Sequence, residues 1–370
     1  MEPLRVGVVG CGQIAQIMHL PFLTELPQFR VTAVCDLSPA VAEAVGERFG
    51  VPNRFTNFAD LVAREDVDAV AVLTMEHPEV AVAAADAGKQ LFIEKPLGFS
   101  LTEADRIIDA VERAGVTAMV GYMKRYDPGY ELGAARMQAM DDVRLIRVHD
   151  FAADFAWHAT LFTLVSRDDL SPALRAERRA AVAATLREAL GAAHAHFSGL
   201  LEMVLMLASH DLTILRGAFA APSRVRYSDA VSPTQLLSVL EYGPGCRCVF
   251  EVGIGSEALW WDQHLAAYGT HEMVEITFPN PYVPYAPTVV TIRENEAGSP
   301  VRKEIPVSHQ EAFRREWLHF FDCVREGRRP RTSLADARAD IELAIEMIRA
   351  IPIRERGAGA EIDARRRDGR

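Results

Sequence analysis

The sequence predicts an α/β protein: an N-terminal doubly wound parallel sheet, then a C-terminal α/β domain with a large open, mainly antiparallel sheet. Three observations carry this. Over residues 1–125, short β-branched runs alternate with helical stretches, which is how a parallel sheet covered on both faces reads. A glycine-rich turn, Gly10-Cys11-Gly12-Gln13-Ile14-Ala15, joins the first run to the first helix. Between residues 223 and 306, six β-like runs follow one another with Pro and Gly between them, as sequential strands do.

The expected strands of the first unit are Arg5–Val9, Val31–Cys35, Ala69–Leu73, Leu91–Ile93 and Thr117–Val120. A helix is expected over Pro39–Phe49, with Ser38 as N-cap, Pro39 at the first helical position and Gly50 after the end. A second is expected over Leu101–Ala114. Ser100 and Glu103 form a capping box there, Ile107, Ile108 and Val111 make an apolar stripe, and Gly115 stops the helix. The pattern changes after Asp127-Pro128-Gly129. Arg144–Phe151 reads as a strand, and the Ala-rich, charge-laced region 156–220 reads as helices, clearest at Arg175–Leu190. This helical region could serve as a lid or as an interface. Strands follow at Arg224–Ser228, Gln235–Tyr242, Arg247–Val252, His264–Tyr268, Met273–Phe278 and Val289–Arg293, then helices near 309–326 and 333–350. The domains are expected at 1–125 and 126–352. Residues 353–370, ending ARRRDGR with no apolar anchor, are expected to be disordered.

Composition narrows the function classes. At roughly 150 residues per domain, 370 residues imply two or three domains. Fifty-one acidic against 40 basic residues give a net charge of −11, a poor match to a phosphate backbone, so no nucleic-acid partner is expected. No run approaches the ~18 consecutive apolar residues of a membrane span, and the MEPLRVGVVG start lacks the plan of a secretory signal. Five sparse cysteines suit a reducing, cytoplasmic setting. Cys246 and Cys248, two apart in a strand, share a face and are expected to pack. His194 and His196 would diverge on a helix, and no metal site is expected.

The turn Gly10-x-Gly12-x-x-Ala15 carries the first chemistry. Gly10 permits the tight turn, Gly12 lets backbone approach a diphosphate, and Ala15 still allows close helix–strand packing. The following helix offers free N–H groups and a partial positive charge to the phosphates. Asp36 ends the second strand 21 residues after Ala15, where a carboxylate accepts from ribose hydroxyls and repels a 2′-phosphate. Leu37 and Ser38 follow, with no Arg or Lys for that phosphate, so NAD is expected over NADP.

Further motifs are His19-Leu20-Pro21, Thr74, Ala87-Gly88-Lys89, Glu94-Lys95-Pro96 and Gly121-Tyr122-Met123-Lys124-Arg125-Tyr126-Asp127-Pro128. Together they resemble the glucose–fructose oxidoreductase/inositol dehydrogenase/rhizopine-catabolism (Gfo/Idh/MocA) family, densely over residues 4–130 and more loosely at Ser209–Gly217 and Tyr268-Gly269-Thr270. The resemblance implies a Rossmann domain followed by an open-sheet α/β domain, with the nicotinamide between them and a sugar, polyol or inositol on the sheet side. It places Gly10, Gly12, Gln13, Ile14, Asp36, Thr74, His77, Glu94 and Lys95 on the cofactor side. Glu79 stands near a position where the family often has a histidine.

Oxidation of a secondary alcohol needs a base that titrates near working pH, and Lys95 qualifies if burial lowers its pKa. The family usually sets an Asp four residues before a His on one helix. Here His210 matches the histidine, but the aspartate position holds Met206, whose thioether cannot accept a hydroxyl proton. Glu202 lies eight residues back, ~12 Å along the axis, and Asp211 is expected to point ~100° away from His210. Lys95 and His210 are therefore the expected catalytic pair, with Lys124, Tyr126, Met206 and His210 on the substrate; Arg125 fits the same cleft. Trp260 and Trp261 are expected to serve packing more than sugar stacking. The leading expectation is an NAD(P)-dependent dehydrogenase or reductase acting on CH–OH groups of a sugar, inositol or polyol, as a homodimer or homotetramer. A redox-cycling isomerase or glycoside-cleaving enzyme, and a non-catalytic dinucleotide or metabolite sensor, stay open at this point.

Overall fold

The computed structural model describes residues 2–153, 155–255 and 260–353. The first sheet contains β1 (Leu4–Val9), β2 (Phe29–Cys35), β3 (Asn53–Phe55), β4 (Ala69–Val72), β5 (Gln90–Glu94) and β6 (Ala118–Gly121), all parallel in the order β3-β2-β1-β4-β5-β6. Its central strands are buried on both faces; β4 is the unbroken run Ala-Val-Ala-Val, as a sandwiched parallel strand must be. The edge strand β3, Asn-Arg-Phe, has no apolar run to announce it and was not among the expected strands.

Helices α1 (Leu20–Glu25), α2 (Pro39–Arg48), α3 (Phe58–Val62), α4 (Pro78–Asp86) and α5 (Leu101–Ala114) connect these strands. Ser38 Oγ accepts from the Val41 amide at 3.0 Å and caps α2. Ser100 Oγ accepts from the Glu103 amide at 3.2 Å, while Glu103 returns to the Phe99 amide at 2.7 Å, one residue earlier than in a capping box. Gly115, at φ 67°, ends α5 in the left-handed conformation that suits glycine.

After α6 (Pro128–Gln138) the second sheet begins with β7 (Leu145–Ala152). The region expected to be helical over 156–220 divides. It holds α7 (Phe155–Ala159), an irregular stretch at 160–171, α8 (Pro172–Leu190), α9 (Ser198–Met203) and α10 (Ser209–Phe219), with a π turn at Val204–Ala208 joining the last two. By length and composition alone Ala195–Phe219 is apolar enough to cross a membrane, but 72% of its most apolar window is buried inside the fold, as in a core helix.

The remaining strands are β8 (Arg224–Ser232), β9 (Gln235–Tyr242), β10 (Cys246–Ile254), β11 (Asp262–Tyr268), β12 (Glu272–Phe278), β13 (Val289–Glu296) and β14 (Ser299–Pro306). The sheet order is β14-β13-β12-β11-β7-β10-β9-β8, antiparallel except for the β7–β10 pair. The expected open, mainly antiparallel sheet is thus present. Its unexpected member, β14, reads Ser-Pro-Val-Arg-Lys-Glu-Ile-Pro, the charge-rich sequence an exposed edge requires. Cys246 and Cys248 are both buried, packing on one face as expected. Along β7, Ile146, Val148, Asp150 and Ala152 are buried against the helices, whereas Arg147, His149 and Phe151 alternate onto the half-open face. An aspartate on the apolar side of such a strand has no packing purpose.

The chain closes with α11 (Ala312–Glu326) and α12 (Leu334–Arg349). Phe313, Trp317, Phe320 and Phe321 of α11 join Val6, Val8, Phe29, Phe92 and Met119 in one core beneath the first sheet. The Trp317 ring stacks on Phe92 at 4.0 Å. The expected disordered tail falls, from residue 354 on, outside the described residues.

Candidate active site

The glycine turn has the form a diphosphate requires. Gly10 sits at φ 97°, and a Cβ there would lie 2.7 Å from the Leu73 carbonyl. Gly12 is exposed, with nothing within 4 Å of a Cβ position, so the turn is open; Gln13 and Ile14 line its rim, half-buried. Asp36 directly follows β2 and accepts from the Cys11 amide at 2.9 Å and the Ser38 amide at 2.9 Å, which aims its carboxylate across the turn. These residues fit a dinucleotide.

Thr74, after β4, donates its hydroxyl to the Glu76 carbonyl at 2.9 Å. His77 is buried, and neither ring nitrogen has a side-chain hydrogen-bond partner among the described residues; burial holds its pKa below the ordinary value. Glu94, expected at the cofactor, is instead committed inward. Its Oε1 meets His19 Nε2 at 3.0 Å and its Oε2 accepts the Lys95 amide at 2.9 Å. Glu316 completes a buried cluster with these two, all within 4.8 Å. Trp317 can only donate, and its Nε1–H meets His19 Nδ1 at 3.2 Å, so His19 Nε2 carries the proton toward Glu94. Both ring nitrogens are thereby used, which leaves no lone pair for a cation. Burial beside Glu94 pushes the Glu316 carboxyl well above its ordinary range, which favours its neutral form.

Lys95 projects from the end of β5 into the crevice, where its Nζ donates to the Met206 carbonyl at 2.6 Å. Met206 lies in the π turn, a rare distortion of α-helices that is frequently found at functional sites. At the position where an aspartate was expected, it is the backbone oxygen that meets the amine. His210, one helical turn on, is close enough to Lys95 and Lys124 that their charges add to burial in driving its pKa well below 6.5. Its Nδ1 has no hydrogen-bond partner among the described residues. Lys95 is itself lowered from 10.5, because burial outweighs the charge of Glu94.

Around Lys124, an expected site residue, the second sheet gathers groups that the sequence reading missed. Lys124 is buried; its Nζ donates to Gln263 Oε1 and lies 4.6 Å from the centre of the Phe278 ring. Gln263 Nε2 in turn donates to Asp211 Oδ1 at 2.7 Å. On the side of α10 where Asp211 stands, β7 and β11 bring Asp150 and Gln263 to meet it. Asp150 is fully buried and raised well above its ordinary value, first by burial and then by Asp211. Asp211 is raised by burial, while Lys124 and a hydrogen bond from Asp150 oppose the rise. The arrangement favours a protonated Asp150 beside an ionised Asp211 facing Lys124. Trp261 reaches the same network, its Nε1 donating to Gln263 at 3.3 Å, while Trp260 stands 61% exposed.

Tyr126 does not reach the crevice. It is buried toward α11, and its hydroxyl pairs with Thr332 at 2.8 Å. Arg125 likewise turns to the Thr213 carbonyl and Asp336. The short helical turn at Met123–Tyr126 sends successive side chains to different sides, so only Lys124 of the three enters the site.

An aspartate whose folded pKa lies above its ordinary 3.8 adds most to stability below that value, and the contribution is lost as pH rises through the folded pKa. Asp150→Asn is therefore expected to be more stable than the parent at pH 8, by about 1–3 kcal/mol. The difference should vanish toward pH 4. Urea melts at the two pH values check this.

Comparisons with known proteins bear on the first sheet and on the fold. The family described as "Oxidoreductase family, NAD-binding Rossmann fold" matches residues 4–122. Inositol 2-dehydrogenase of Paracoccus denitrificans is 39% identical over 131 residues, 34% of this chain and 39% of that protein. The scyllo-inositol 2-dehydrogenase (NAD(+)) of Bacillus subtilis is 29% identical over 153 residues, 41% of this chain and 45% of that protein. These matches thus span less than half the length of the curated relatives. Solved structures extend the likeness in fold to nearly the whole chain. One from Desulfitobacterium hafniense has a TM-score of 0.75 at 16% identity, covering 95% of this chain and 96% of that one. A 3-ketoreductase from Actinomadura kijaniata, solved with NADP, has a TM-score of 0.70 at 19% identity, covering 92% and 96%. With its open glycine turn, the Asp36 carboxylate and a family match over residues 4–122, the first sheet of this chain is that of the NAD-binding Rossmann domain of the Gfo/Idh/MocA oxidoreductases.

Proposed function

We propose that the protein is an NAD-dependent dehydrogenase or reductase acting on a secondary alcohol or ketone carbon of a sugar, inositol or related polyol. The observation that carries this reading is the Lys95 amine held on the Met206 carbonyl beside an uncharged His210, at the same carboxyl edge of the parallel sheet on which β1 runs into the open glycine turn. Relatives named as inositol dehydrogenases, one of them as NAD-dependent, support the same class.

A bound nicotinamide supplies the two-electron hydride acceptor or donor. The protein's own residues manage the proton. Burial lowers the Lys95 pKa, so a neutral amine that can take the hydroxyl proton is available at lower pH than for a solvated lysine. His210, neutral at the same pH, offers an unpartnered Nδ1 to a neighbouring hydroxyl. Asp150, Asp211, Gln263 and Lys124 supply donors and acceptors in a buried setting, the complement of a ring bearing several hydroxyls.

The test is reduction of NAD, followed by absorbance, with a panel of inositols, hexoses and glycosides. Turnover of none, combined with no NAD binding in titration, sinks the reading. A pH prediction follows from the lysine. In the oxidative direction kcat/KM should rise with pH along a limb centred below 10.5, and in the reductive direction it should fall along the same limb. The histidine limb should lie well below 6.5, leaving neutral pH free of it. A limb at the ordinary lysine value would show that the amine is solvated.

A further inference from the structure

The irregular stretch between α7 and α8 is fastened to the first domain beside the glycine turn and along α2. Gln16, just behind the glycine turn, bonds Val165 in both directions: its Nε2 donates to the Val165 carbonyl at 2.9 Å, and its Oε1 accepts the Val165 amide at 2.8 Å. Arg48 of α2 donates to the Thr163 carbonyl. Phe162, Leu164 and Val165 pack against the core that contains Cys11, Ala15 and Val41. Asp169 completes the strap. Its Oδ2 accepts from the Ser38 hydroxyl at 2.7 Å and the Ala40 amide at 3.3 Å, and Ser38 is left only 3% exposed.

This contact has a chemical consequence where β2 gives way to α2. The Asp36 carboxylate stands at the end of the strand, and the Asp169 carboxylate stands on the first turn of the helix, on donors that a phosphate oxygen would otherwise take. Arg48, the cation of this helix, is turned away onto Thr163. Ribose hydroxyls can share acceptors with two carboxylates; a 2′-phosphate dianion is repelled by both. The bonds from Ser38 and Ala40 also hold the Asp169 carboxyl below its ordinary range, so its charge persists at neutral pH.

We propose that Asp169, delivered by a strap from the second domain, is a cofactor-specificity residue that refuses the 2′-phosphate of NADP. The proposal rests on the dinucleotide reading above and extends it, because the selecting charge comes from outside the first domain.

The experiment is calorimetric titration of the full chain with NAD and with NADP, for the parent, Asp169→Asn and Asp169→Arg. Asp169→Asn keeps the shape and removes the charge. It is expected to tighten NADP binding by about tenfold, with NAD affinity changed by less than about threefold. Asp169→Arg should tighten NADP further. Thermal melts confirm that each variant is folded. An unchanged NAD-to-NADP affinity ratio in both folded variants overturns the proposal while the dinucleotide reading stands. A parent that binds neither nucleotide overturns both. If Asp169→Asn fails to fold, the ratio in Asp169→Arg and in Gln16→Ala, which loosens the strap at its other fastening, decides instead. Movement toward NADP upholds the proposal, and no movement overturns it.

Discussion

Replacing Lys95 with methionine is expected to lower kcat by about 10²–10⁴-fold, the range that a positioned acid or base contributes. Methionine has a similar reach and no proton to exchange, so packing in the crevice is largely kept. The affinity for NAD should change little, since the open glycine turn and Asp36 lie on the far side of the groove. The pH limb assigned to the amine should vanish with it. A second signature separates chemistry from structure. Loss of the Lys95 charge removes one of the two cations that depress His210, so the histidine should titrate closer to its ordinary 6.5 in the variant. Steady-state kinetics, NAD titration and NMR of the imidazole protons check the three parts. A variant with full turnover would remove Lys95 from the mechanism.

Trp317→Ala is expected to give the largest loss of stability, about 3–5 kcal/mol, as for a large aromatic deleted from a packed core. The ring is fully buried, stacked on Phe92 at 4.0 Å and edge-on to His19, Phe29 and Phe320. Its removal also takes the donor from His19 Nδ1. For a chain with domains of this size the melting temperature should fall by about 10 °C. Trp317→Phe, which keeps the ring and loses the N–H, should cost less than half as much. Equal losses in the two variants would mean that the hydrogen bond to His19, not packing, carries the effect.

What could be read in advance was what is local. The glycine turn, the Asp36 spacing and the caps of α2 and α5 depend on neighbours within a few residues, and the structure reproduces them. Lys95 was legible because Glu94-Lys95-Pro96 ends an apolar strand. Asp150, Asp211 and Gln263 escaped because their meeting depends on three separate elements, β7, α10 and β11. One signal was present: in Ile146-Arg147-Val148-His149-Asp150, the aspartate falls on the apolar phase of the strand. Tyr126 was misplaced because a short helical turn, rather than an extended run, carries residues 123–126 past the crevice. The π turn at 204–208 was equally invisible, yet it presents the Met206 carbonyl to Lys95. The strands β3 and β14 lacked apolar patterns because both lie at sheet edges.

The placement of α11 has a bearing on biosynthesis. The underside of the first sheet is sealed by aromatic residues that are translated some two hundred residues after β6. A nascent chain that has delivered all six strands therefore still shows Phe29 and Phe92 to the surroundings until α11 has been made. The first sheet, although made before the second, matures only after it, and a product terminated between β6 and α11 would be sticky rather than merely inactive.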